Sequence, residues 1–177
     1  IDLHSSDIAR FHEHHKTDEH VNARTFEGFN KTYGIVHPAE QWSSNRNVRL
    51  SPYYEREKAL GATFFETVGW ERPFWYESNA PLVAKFGDAV MPRTAEWESR
   101  WWSPIINAEH LQMRETAGLV DLTAFAIFDI IGPSALDVVQ RTAVRQMDVA
   151  VGKVVYTPVL SPSGGYKSDL TIMRLAH

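Results

Sequence analysis

The stretch VYTPVLSPSGGYKSDLT, residues 155–171, decides the fold of the second half of the chain. Two runs rich in Val, Thr, Tyr and Leu flank Ser161-Pro162-Ser163-Gly164-Gly165, a cluster of turn-forming residues. The spacing predicts a hairpin with strands over 153–160 and 166–175. Asp169 stands inside the second strand, where aspartate is disfavoured. A loop over 161–164 sets Asp169 opposite Tyr156, and a loop over 161–165 sets it opposite Thr157, so one residue of register decides which face it shares. Pattern alone reads Asp169 as an exposed acid on a polar face beside Lys167 and Thr171. A carboxylate facing a ligand is the alternative.

Working outward from the hairpin, Gly132-Pro133 opens a helix running to about Ala143. Residues 119–131 contain a strand that is apolar on both faces, as a covered sheet requires. Ser103-Pro104 starts a helix that runs through Ala117 and stops at Gly118. Earlier in the chain, residues 62–68 read as a strand rich in Thr, Phe and Val. Before it, Ser51-Pro52 opens a helix that ends at Gly61. Residues 35–47 read as an extended loop. Thr17-Asp18 caps a helix carrying Val21, Phe26, Phe29 and Tyr33, with Gly34 as its stop. Ser5-Ser6-Asp7 caps a shorter helix reaching Phe11. Five of the six tryptophans fall within 69–102, and the domain junction is placed there, near residues 78–95. The order of elements is that of an α+β protein.

Composition narrows the function classes. The 177 residues are 44% hydrophobic and 23% charged, which are ordinary globular values. Eighteen basic against 22 acidic residues leave a formal net charge of −4. A mildly acidic chain has no global electrostatic reason to bind nucleic acid or an anionic membrane. No uncharged apolar run is long enough for a membrane span. The lack of cysteine excludes disulfides and thiolate chemistry and fits a cytosolic setting, or the mitochondrial matrix in a eukaryote. The opening at Ile1 and the close within a strand suggest a piece of a longer protein.

Several constellations invite chemistry. His12, His14, His15 and His20 have spacings that could share a metal, but no known ligand pattern accompanies them, and a solvated polar face is the simpler reading, so no metal ligands are assigned. The tryptophan-rich stretch reads as glue between domains rather than as a stacking platform. Arg46, Arg49, Arg56 and Arg72 suit either an anion site or ion pairs with Glu55, Glu57 and Glu71. The glycines form no GxGxxG, so a complete dinucleotide site is not expected in this chain.

Three further runs, GFNKTYGIVHP (28–38), RLSPYYER (49–56) and GWERPFWY (69–76), resemble the dimethylglycine and sarcosine dehydrogenase family. In addition, AEHLQMRETAGLVDLT (108–123) and the hairpin itself are similar to the glycine-cleavage T-protein domain. The resemblance covers nearly the whole chain. It implies a helical and extended junction over 1–85, following an FAD-binding domain that would precede Ile1. The N-terminal part of a T-protein-like, folate-binding aminomethyltransferase domain would then occupy 86–177, with the rest of the folate pocket beyond His177. It implies Asp169 as the catalytic carboxylate beside tetrahydrofolate. Tyr156, Phe125 and Thr171 are implied as folate-binding residues, and FAD as a cofactor of the parent enzyme. A small N-methylated amine would be the substrate, with the missing domains of the same parent chain as partners. T proteins usually carry two adjacent aspartates in the hairpin. Here the first is Ser168, which favours the dehydrogenase-fused branch. A stand-alone aminomethyltransferase and a non-catalytic interaction module are the rival readings.

Overall fold

The computed structural model describes residues 11–176. The chain divides into two compact units, residues 1–126 and 127–177. The short helix expected after Ser5 lies outside the described residues.

In the first unit, helix α1 (Asp18–Thr32) begins where Thr17 accepts the His20 amide on its hydroxyl. It ends two residues before Gly34, whose amide donates to the Lys31 carbonyl. Helix α2 (Tyr54–Ala59) follows the Ser51 hydroxyl, which accepts the Tyr53 amide, and it stops before Gly61 at φ +74°. Strands β1 (Ala62–Thr67) and β2 (Trp70–Tyr76) form an antiparallel hairpin. The two-residue loop Val68-Gly69 has φ of +54° and +83°, so both residues are left-handed, as a type I′ turn requires. Helices α3 (Pro81–Phe86), α4 (Glu96–Ser99) and α5 (Pro104–Glu115) follow. The Ser103 hydroxyl caps α5, proline occupies its first position, and Ile105 and Ala108 are buried on its inner face.

Strand β2 was not foreseen. Its tryptophans, proline and charges break the two-residue alternation, and the left-handed turn uses valine where Asn or Gly is the usual signal. The centre of this unit is polar. Glu71 of β2 is 2% exposed and accepts from Arg46 Nε at 2.7 Å, from the Asn47 amide at 2.8 Å, and from Arg46 Nη2. This buried pair gives Arg46 the ion-pair reading. Arg72 instead lies over the Phe65 and Phe125 rings, and Arg49 over Trp70.

The second unit holds helix α6 (Ala135–Thr142) and strands β3 (Val154–Leu160) and β4 (Tyr166–Met173), an antiparallel pair. Thr157 of β3 is fully buried, and its hydroxyl accepts the Arg145 amide at 3.2 Å. Gln140 of α6 accepts the Met147 amide at 2.9 Å, and Met147 and Ala143 are buried.

The strand expected within 119–131 does not form; this segment is irregular. Both sheets are two-stranded, and neither pairs with it. Without a neighbour its backbone has no ladder to join. Leu119, Ile127, Phe128 and Ile131 are correspondingly exposed, Leu119 to 99%.

Candidate functional site

The hairpin of the second unit carries the most distinctive polar cluster. The Ser161 and Gly165 backbones close the turn, with the Ser161 amide donating to the Gly165 carbonyl at 2.7 Å. Leu160 faces Tyr166, but Val159 faces Ser168, so Lys167 is an extra residue and forms a β-bulge. The bulge settles the register differently from either expectation. Asp169 pairs with Pro158, and Tyr156 pairs with Thr171. The turn closes as the longer loop would, and the inserted residue then shifts the ladder by one more position. Two steps of shift restore the original parity, so Asp169, Tyr156 and Thr171 share one face of the hairpin. Thr157 points to the other, buried face.

On that shared face the Tyr156 hydroxyl donates to Asp169 Oδ2 at 2.8 Å, and the Tyr166 hydroxyl donates to Oδ1 at 2.5 Å. These are the lengths of charge-assisted O–H···O⁻ bonds. The Tyr166 phenol, then the Tyr156 phenol, hold the Asp169 carboxyl below its ordinary range. The same bonds push the Tyr166 phenol up to about 12 and raise that of Tyr156. No cation pairs with Asp169 among the described residues. The carboxylate is therefore ionised, uncompensated and exposed, with two phenol rings beside it. Such a group suits a flat, amine-bearing ligand. It accepts hydrogen bonds from N–H groups and stabilises positive charge, while the rings offer stacking area.

Thr171 lies on the same face and is exposed. Phe125 belongs to the first unit, where it is 57% exposed and lies 5.3 Å from the Arg72 guanidinium. Tyr166 was missed in the sequence. In a regular strand, residues 166 and 169 point to opposite faces, and only the bulge brings them together.

The other candidates resolve into structure. Of the four histidines, His12 is exposed and His14, His15 and His20 are half-buried. Their ring centroids lie 3.8–6.1 Å apart, and both ring nitrogens of His14 are buried without a partner. Burial and the neighbouring rings lower His15 to about 4, and burial lowers His14 and His20 as well, so these three pack as neutral imidazoles at neutral pH. Among the described residues no group is disposed to hold a metal ion. A cleft of roughly 400 Å³ in the first unit is lined by Tyr76, Asn79, Glu109 and Asp121. Its acids already have partners: Glu109 accepts from the Tyr76 amide and from Asn79, and Asp121 from Thr123. Among the described residues the left-handed glycines sit in separate turns and form no cradle for a diphosphate, so these residues do not fit FAD. No described helix is long and apolar enough to cross a membrane.

Comparison with known proteins adds two family matches. Residues 53–177 match the GCVT N-terminal domain, and residues 1–51 match the FAD dependent oxidoreductase central domain. The chain is 37% identical over 99% of its length to 4-methylaminobutanoate oxidase (formaldehyde-forming) of Paenarthrobacter nicotinovorans. It is 31% identical over 99% of its length to mitochondrial sarcosine dehydrogenase of Homo sapiens. It spans 20% and 21% of those two proteins, about a fifth of their length. An aminomethyltransferase of Saccharopolyspora erythraea is 33% identical over 72% of the chain, which spans 28% of that protein.

Proposed function

Because the chain belongs to the GCVT N-terminal domain family, we propose that it is the part of an FAD-dependent N-methyl-amine dehydrogenase that presents a carboxylate to tetrahydrofolate. The parent would oxidise an N-methylated amine of the sarcosine or dimethylglycine type, with FAD held outside this chain. Tetrahydrofolate, when bound, supplies the two amines that take up the one-carbon unit, one in the reduced pterin ring and one beside it. Asp169 accepts a hydrogen bond from a folate amine and stabilises positive charge there. Tyr156 holds Asp169 Oδ2 and offers its ring as a wall of the site. Thr171 on the same face is assigned as a further folate contact. In this reading the folate domain begins near residue 86, and the preceding residues join it to the flavin domain.

The observation that carries the reading is an exposed carboxylate held ionised by two phenols with no cation beside it.

The test is made on the full-length enzyme. Flavin reduction, free formaldehyde and methylene-tetrahydrofolate are measured for wild type and Asp169→Ala. The reading expects the variant to release formaldehyde where the wild type forms methylene-tetrahydrofolate. Equal methylene-tetrahydrofolate yields would point to the rival reading, a non-catalytic interaction module.

A further inference from the structure

We propose that Tyr166 is a positioning residue of this site, fixing the plane and ionisation of Asp169 through a hydrogen bond that the Lys167 bulge makes possible. The inference rests on the folate reading of Asp169 but adds a residue and a backbone feature to it.

Three observations converge. First, the two phenols take different oxygens of the carboxylate, Tyr156 on Oδ2 from β3 and Tyr166 on Oδ1 from β4. One donor leaves a carboxyl group free to turn about its Cβ–Cγ bond. Donors on both oxygens hold its plane, and each oxygen keeps lone-pair capacity for a ligand N–H. Second, the Tyr166 bond is the shorter of the two, 2.5 Å against 2.8 Å. Third, residues three apart on a strand meet only where the ladder is broken. The break here is the single residue Lys167, between the Leu160–Tyr166 and Val159–Ser168 pairs. The residue opposite Asp169 is Pro158, which has no amide hydrogen and adds no donor of its own. Tyr156 from β3 and Tyr166 from β4 are the two titratable groups that bear on Asp169.

A fixed, ionised carboxylate is pre-organised to accept from a reduced pterin amine without reorienting on binding. Losing the Tyr166 hydroxyl frees the carboxylate and makes it easier to protonate. The ring stays, so packing is preserved.

The experiment uses the full-length enzyme with Tyr166→Phe, Asp169→Asn and wild type side by side. Tetrahydrofolate binding is measured by titration calorimetry from pH 3 to 8, a range that reaches the carboxylate's own titration. The ratio of methylene-tetrahydrofolate to free formaldehyde is measured over the same range. The amine is whichever of sarcosine, dimethylglycine and 4-methylaminobutanoate reduces the flavin fastest. Tyr166→Phe is expected to weaken tetrahydrofolate binding about 3- to 10-fold at neutral pH, the effect of one hydrogen bond. It should lower the product ratio, and the acid-side fall of both quantities should move to higher pH. If Tyr166→Phe matches wild type in affinity and pH dependence while Asp169→Asn loses folate capture, the positioning role is wrong and the folate reading stands. If Asp169→Asn also matches wild type, the folate reading fails and takes this inference with it.

Discussion

Glu71 and Asp169 are each gripped by more than one donor, yet the chain holds them in opposite ways. Glu71 sits at the centre of the first unit, with a guanidinium and a backbone amide on its oxygens. Burial raises its pKa, but the bonds from Arg46 and Asn47 outweigh burial and leave it below the ordinary range. Its charge is cancelled by Arg46, and nothing is left for a ligand. Asp169 stands on an exposed hairpin face and is held only by neutral phenols. Its geometry is fixed, but its charge is not cancelled. Multiple hydrogen bonds alone do not mark a functional carboxylate; what separates the two is whether a cation accompanies them.

The comparison breaks most readily at Glu71. Glu71→Ala leaves Arg46 without its partner inside the fold, and should cost about 3 kcal/mol of stability. All six tryptophans lie within residues 1–126, so denaturant unfolding followed by tryptophan fluorescence reads this unit directly. A loss no larger than that of a surface substitution would mean that the pair does not organise the unit.

A smaller effect is expected from Thr157→Val, on the face of β3 that points away from Asp169. The substitution keeps the shape and leaves the Arg145 amide unpaired. It should cost about 1–2 kcal/mol, measured as faster amide hydrogen exchange across β3 and β4. Unchanged exchange would remove the distinction between a structural face and a site face on that strand.

The last effect appears only in acid. Glu27 is half-buried, and desolvation raises its pKa, but bonds from Ser44, Ser43 and Lys31 hold it at about 2, against an ordinary value of 4.5. A folded pKa below the unfolded one gives stability that is complete above the ordinary value and is lost as pH falls toward the folded one. The wild type should therefore lose stability between pH 4.5 and about 2, and Glu27→Gln should lose less over that window. Parallel curves would show that Glu27 gains nothing from its partners.

Much of this architecture was legible in the residues. Ser103-Pro104 and Thr17-Asp18 announced their helices because a cap works within a few residues of chain. The 161–165 cluster announced the terminal hairpin for the same local reason. What escaped depended on partners. Residues 119–131 have the composition of a strand, but a strand exists only beside another. Strand β2 was hidden by Trp70, Glu71, Arg72 and Pro73, which suit that position only with Arg46 and β1 in place. In the site, the shared face of Tyr156 and Asp169 was foreseen in one of two registers, but the pairs that form, Asp169 with Pro158 and Tyr156 with Thr171, were in neither. A bulge at Lys167 leaves no signature in its own residue type, and without it Tyr166 belongs to the wrong face.

On the folate reading, the negative charge of Asp169, not its shape, serves the site. The most direct measurement is the fraction of released one-carbon units captured as methylene-tetrahydrofolate by the full-length enzyme carrying Asp169→Asn. Asparagine keeps the size and an acceptor oxygen but loses the charge. Capture is expected to fall at least about tenfold, the scale of a lost acid–base or charge-stabilising group. Capture equal to wild type would contradict that reading.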